Sequence, residues 1–210
     1  MSRSPLITML ATAVLVALGV SGLHPYDRAT WLMEVAPILI VAPLIILTYR
    51  RFPLSTVLYV LIAVHAVILM VGGAYTYAHV PVGFWLQDVL GTTRNPYDKI
   101  GHFAQGFVPA LAAREILLRS QYLTSRPMAA FLSICVALAI SACYEMIEWG
   151  SALAMGQGAD EFLGTQGDMW DTQSDMFFAL IGAVVAMLVM TRLQDRQIAI
   201  LAKDLPTGSR

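Results

Sequence analysis

Residues 128–149 read MAAFLSICVALAISACYEMIEW. Seventeen residues pass before the first charge, Glu145, and Glu148 follows at once. About 20 mostly apolar residues cross the roughly 30 Å of hydrocarbon in a bilayer. Glu145 and Glu148 stand three positions apart and so share one helix face, and Trp149 is a residue type that favours the membrane boundary. This one stretch therefore predicts a membrane helix that carries two carboxylates to one edge.

Five further stretches repeat the pattern. Leu6–Leu23 holds no charge, and Trp31–Tyr49 holds only Glu34, near its start. Leu54–Tyr77 contains one histidine, His65. Tyr97–Leu118 is the most polar, with Asp98, Lys99, His102, Gln105, Arg114 and Glu115; Thr172–Leu193 is uncharged between Asp175 and Arg192. Pro37, Pro43 and Pro109 are expected kinks, tolerated because neighbouring helices can satisfy the freed carbonyls. The turns Arg50–Pro53, His24–Thr30 and Arg119–Pro127 are short, which favours antiparallel neighbours in one bundle.

The composition agrees. Of 210 residues 58% are hydrophobic and 13% charged, about half the charged share of a soluble domain, and the mean hydropathy is +0.68. That argues against a water-soluble globule, a disordered chain and a nucleic-acid binder, which needs a basic face. The expected fold is all-α: a polytopic membrane helix bundle of about six transmembrane helices. Residues 1–193 form one transmembrane domain and 194–210 an exposed cytoplasmic tail. The first apolar run is long for a cleaved signal peptide and is read as a retained helix. Cys135 and Cys143, eight helical residues and about 12 Å apart, are too distant for a disulfide.

Charge sorts by side. With six spans, Arg3, Arg50, Arg51, Arg114, Arg119, Arg126, Arg192, Arg196, Lys203 and Arg210 fall on one face, and only Arg28, Arg94 and Lys99 on the other. The excess of bases predicts cytoplasmic termini for this multi-pass chain. Eleven of fourteen acids then fall at or beyond the outer helix ends. Asp98 and His102 are four apart, and so are Asp171 and Asp175, each pair on one face. Intramembrane carboxylates turn inward, pair or line a polar cavity. If the three faces meet, the acids require neutralisation by protons, by Lys99 and Arg94, or by a bound cation.

Oxygen and imidazole donors suit Zn, Mn, Fe, Mg or Ca. The expected ligands of such a divalent ion are His102, Glu145, Glu148, Asp171 and Asp175. Asp168 or Asp98 is a further ligand or general base. Tyr75, Tyr77, Gln105 and Gln166 are the expected substrate-orienting residues. Against this stands the simpler reading that Asp98 and Asp171 are N-caps. His65, near mid-span, is expected to hydrogen-bond a buried partner, and His24 and His79 to lie at the surface. The glycine-rich loop 150–170 offers a segment, Phe162–Asp168, able to fold over the site as a lid. No EF-hand, P-loop, G-x-S-x-G or H-E-x-x-H pattern is present.

Several long motifs carry a resemblance. They are Gly73–Ala78 with Pro81; RNPYDKIGHF at 94–103 with Gln105–Phe107 and Arg114–Glu115; YEMIEW at 144–149; and FLGTQGDMWDTQSDM at 162–176. Across roughly residues 30–190 the chain resembles the YjdF-like bacterial inner-membrane proteins, a family of uncharacterised function. A weaker likeness, resting on Asp98-Lys99, His102, Glu145 or Glu148, Asp171 and Asp175, is to VanZ-like membrane proteins. The resemblance implies a polytopic inner-membrane protein and singles out the same acids. The residues lead to a metal-dependent hydrolase or transferase acting on a lipid or lipid-linked head group. The alternatives are a proton- or cation-coupled transporter and an accessory structural protein. A homo-oligomer is compatible with each.

Overall fold

A computed structural model describes residues 3–155 and 166–204. The described residues form eight α-helices and no strand: α1 Arg3–Ser21, α2 Arg28–Thr48, α3 Thr56–Ala74, α4 Pro81–Leu90, α5 Tyr97–Arg119, α6 Arg126–Met155, α7 Asp171–Val189 and α8 Thr191–Asp204. Five of them are long and apolar enough to cross a membrane: α1, α2, α3, α6 and α7. The fourth expected span, α5, is the exception in composition. Its 23 residues reach about 34 Å, enough to cross, but its face is polar. That polarity is turned inward: His102, Arg114 and Glu115 are all buried, and α5 packs on α3, α6 and α7.

Local chemistry sets the helix ends. Asp27 caps α2 by accepting from the Thr30 amide at 2.7 Å, filling one of the four unpaired donors of a helix start. The capped helix then runs unbroken through Pro37 and Pro43. Helix α4 falls in a segment expected to be loop. Pro81 opens it and Gly91, with φ +65°, closes it in the left-handed conformation, a turn that glycine adopts without steric strain.

Helices α5 and α7 touch backbone to backbone. A Cβ at Gly106 would fall on the carbonyl of Ala179, and one at Gly182 on the carbonyl of Phe103. Ala110, Ala179, Ala183 and Ala186 line the same seam with no exposure. Lipid supplies no hydrophobic drive between helices, so close approach through small residues carries the association. The seam matters for function because Asp98, Lys99 and His102 lie one to two turns before Gly106, and Asp171 and Asp175 one to two turns before Ala179. Packing the small residues brings those polar groups together. A second apolar cluster, Val35, Ile38, Ala66, Leu69 and Met70, joins α2 to α3, with Val14, Ala17 and Leu18 of α1 against it.

The C-terminal segment departs from the sequence reading. From Gln194 the chain was expected to be an exposed tail, and the sixth span to run to Leu193. Instead α7 ends at Val189, and α8 folds back against α3 and α5. The reason is a polar network unseen in the sequence. Arg114, buried in α5, donates to Gln194 Oε1 at 2.9 Å and to Asp195 Oδ1 at 2.8 Å. Gln194, fully buried, donates to the Leu111 carbonyl at 2.8 Å. Beside it Glu115 accepts from the Ser55 amide and hydroxyl and from Arg119 at 2.6–2.9 Å. Buried charge persists only when paired, and this network pairs it by docking α8.

Candidate functional site

The expected convergence of acids occurs where the N-terminal ends of α5 and α7 meet the C-terminal third of α6. Asp98, His102 and Asp175 each offer one donor atom, and these atoms lie within 4.8 Å of one another. His102 Nε2 is 3.3 Å from Asp98 Oδ1 and 3.7 Å from Asp175 Oδ1. Its Nδ1 is 2.9 Å from Gln105 Oε1 and 3.8 Å from Glu145 Oε1. Gln105 was expected to orient substrate; its geometry serves the imidazole. With Nδ1–H donating to Gln105, Nε2 faces Asp98 and Asp175. Metal-ligating histidines adopt this arrangement, the second ring nitrogen donating to an oxygen outside the ligand set.

Two bases enter the same cluster. Lys99 Nζ donates to Asp175 Oδ1 at 2.5 Å and to Asp171 Oδ1 at 2.8 Å, and lies 3.4 Å from Asp98 Oδ2. Arg94 meets Asp171 at 2.6 Å and Asp168 at 3.2 Å. Burial works against the Arg94 charge, but the hydrogen bond and charge of Asp171, with Asp168 behind it, hold its pKa above the ordinary value. Asp171 and Asp98 are not caps. Trp170 occupies the cap position of α7 and Pro96 that of α5, neither through a side-chain bond. Both acids sit in a first turn, where the helix dipole favours negative charge.

The bases do not balance the acids. Asp98, Asp168, Asp171, Asp175 and Glu145 are five carboxylates facing Lys99 and Arg94. Glu145 Oε1, on a residue only 6% exposed, has no hydrogen-bond partner among the described residues. Leaving such a buried acceptor unpaired is unfavourable by about 1–3 kcal/mol, more for a charged group. The site thus leaves an open acceptor facing His102.

The other expected residues are placed differently. Glu148 is half-buried one turn beyond Glu145, an electrostatic neighbour of Glu145, Glu34 and His102 with no bond to any of them. Asp168 pairs with Arg94 at the rim. Tyr77 is wedged in packing: its ring fills the space a Cβ would take at Gly72 and Gly101. Tyr75 is exposed. Gln166 clasps the backbone of Asn95, its Oε1 accepting from the amide at 3.0 Å and its Nε2 donating to the carbonyl at 3.2 Å. Of the expected lid only Gln166–Asp168 is described; Phe162–Thr165 lie outside the described residues, as do Asp160 and Glu161. His65 differs from expectation, since its buried Nε2 has no partner among the described residues. His79 stacks on Tyr26 with ring centroids 4.3 Å apart.

Two residues were missed. Glu34, read only as an acid near the start of the second apolar run, accepts from the Tyr144 hydroxyl at 3.0 Å and so ties α2 to the acid-bearing end of α6. Its signal was an acid one turn inside an apolar span. Asn95, buried, donates to the carbonyls of Ala78 and Val80 at 3.2 and 3.0 Å and accepts from the Tyr97 amide at 3.1 Å. It locks the α3–α4 turn onto the start of α5. Nothing in the sequence distinguishes it from an ordinary turn asparagine.

A family model described as "Predicted membrane protein (DUF2238)" matches residues 6–196. The chain is 62% identical over 187 residues, 89% of its length and 88% of the relative's, to "Inner membrane protein YjdF" of Escherichia coli (strain K12). No solved structure matches. The chain belongs to the DUF2238 family of membrane proteins. These comparisons speak to the first resemblance read from the sequence and not to the VanZ-like one.

Proposed function

We propose that this DUF2238 protein binds a divalent metal ion at Asp98, His102 and Asp175 and acts with it on the polar head group of a lipid or lipid-linked substrate. One observation carries the reading: Asp98, His102 and Asp175 each bring a donor atom to within 4.8 Å of one another, with His102 Nε2 turned to both aspartates. Mixed carboxylate and imidazole donors suit Zn, Mn or Fe better than Ca, which favours an all-oxygen set. Gln105 and Glu145, both on the Nδ1 side of the ring, orient His102. When bound, such an ion polarises a phosphoryl or carbonyl oxygen and makes water a better nucleophile.

Within that scheme Glu148, near the cluster yet bonded to none of its members, is the group left to hold or move a proton. Asp171, Arg94 and Asp168 form the rim. The depth is that of a lipid head group. Trp85, Trp149 and Trp170 are all exposed at this end of the bundle, and exposed tryptophans favour the membrane–water boundary. On the balance of basic residues this end faces the periplasm.

A second reading has its own observation. Lys99 already places an ammonium among Asp98, Asp171 and Asp175, which makes the cluster a structural ion-pair hub. Elemental analysis of detergent-purified protein separates the two. The metal reading requires near-stoichiometric Zn, Mn or Fe in the wild type and its loss in His102→Ala and Asp175→Asn. Wild-type protein that neither carries nor takes up any of the three, with unfolding temperature unmoved by their addition, overturns it.

A further inference from the structure

The α8 helix presents a face that neither the bundle nor the acid cluster uses. Its roll is fixed by the network described above: Gln194 and Asp195 are held by Arg114, and Gln197 Oε1 accepts from the Val57 amide at 2.8 Å. Leu201 is buried on the same side. A helix turns about 100° per residue. With that roll, Arg192, Arg196 and Lys203 fall within about 40° of one another on the opposite side, and all three are exposed. Leu193 and Ile200 follow on the adjoining arc, 42% and 58% exposed. The outward face is therefore a row of three bases beside a pair of apolar side chains.

Its position in the chain selects the occupant. Helix α7 ends at Val189 with Leu188 and Val189 exposed as lipid-facing residues. Met190 alone separates it from α8, so α8 begins where the hydrocarbon ends. A helix at that depth with apolar side chains beside bases matches an interfacial element, whose affinity combines buried apolar area with attraction to anionic lipid. We propose that the outward face of α8 is a binding site for anionic phospholipid head groups of the adjoining leaflet, with Leu193 and Ile200 seated at the acyl boundary. This holds whichever way the acid cluster is used. It gives the docking network a purpose beyond stability, because freeing Gln194 and Asp195 would let the basic row roll away from the membrane.

The test uses the full-length protein in detergent. Native mass spectrometry counts retained lipid on titration with phosphatidylglycerol or phosphatidylcholine. Wild type should retain phosphatidylglycerol preferentially. Arg196→Gln should weaken that retention about fivefold, and Arg192→Gln/Arg196→Gln/Lys203→Gln about a hundredfold, the effect of roughly one unit of surface attraction per base. Arg28→Gln, an exposed base at the other end, should leave it unchanged. Comparable retention by the triple variant, equal retention of the two lipids by wild type, or displacement of the lipid by inorganic phosphate would each overturn the proposal. If the triple variant does not fold, Arg196→Gln alone decides.

Discussion

Replacing Lys99 by Gln separates a metal site from a structural hub. The ammonium contacts Asp175 at 2.5 Å and Asp171 at 2.8 Å and lies 3.4 Å from Asp98, and the side-chain exposures are 12% for Lys99 and 4–16% for its partners. Breaking a buried pair by removing one partner destabilises by about 3–5 kcal/mol, because the remaining charge is left uncompensated. Here that charge is shared by three acids, so the upper half of the range applies. In a chain of this size each kcal/mol shifts the unfolding temperature by about 2–4 °C, giving a fall on the order of 10 °C in metal-free detergent solution. The two readings then part. If Asp98, His102 and Asp175 hold a divalent ion, removing the competing ammonium strengthens ion binding, and added zinc or manganese should restore most of the lost stability. The increment on metal addition should be larger in Lys99→Gln than in wild type. Unfolding followed by intrinsic tryptophan fluorescence reads both. A variant that falls by 10 °C and is not rescued by any divalent ion refutes the metal reading and leaves the hub. A variant that does not fall refutes the electrostatic description of the cluster.

Other consequences follow from the same contacts. Gly106→Ala places a methyl on the Ala179 carbonyl, so α5 and α7 must part; a loss of about 1–3 kcal/mol is expected for such overpacking, together with lost metal affinity, checked by thermal unfolding and metal titration. Glu115→Ala removes the acceptor of Ser55 and Arg119 and should destabilise by about 3–5 kcal/mol, with earlier proteolysis of α8 in a limited-digestion time course. Asp27→Ala should lose about 0.5–2 kcal/mol as an N-cap. The Thr30 amide bond lowers the Asp27 pKa below its ordinary 3.8, so the carboxylate's contribution is complete above that value and fades as pH falls through the lowered one. The stability gap between wild type and Asp27→Asn should therefore close in acid and hold constant from pH 5 upward, read by unfolding temperature against pH.

The helical spans were legible because they depend on local composition. An apolar run such as 128–144 has few alternatives to a membrane helix, since a bilayer satisfies no backbone group that the segment does not satisfy itself. The acid faces were legible for a related reason: spacings of three and four put Glu145 with Glu148, and Asp98 with His102, on single faces wherever the helices go. Their meeting depended on packing. Gly106 and Gly182 are ordinary small residues in the sequence, and only the contact between their backbones brings α5 and α7 into a register that sets His102 beside Asp175. The partners within the cluster were also invisible. Gln105 reads in the sequence as a substrate-orienting residue, and only packing shows its oxygen 2.9 Å from His102; only packing likewise shows the Tyr77 ring filling a gap between helices.

The end of the bundle away from the acid cluster makes the contrast plainest. Arg114, Glu115 and Gln194 carry no periodic signal linking them, and 80 residues separate Arg114 from its partner. A polar residue near a helix end reads as solvated unless something covers it. By itself the sequence determined which segments enter the membrane and which faces carry charge, because both follow from hydrophobicity and helical period. The tertiary structure alone decided which charges meet, because pairing over that distance is set by how the helices pack.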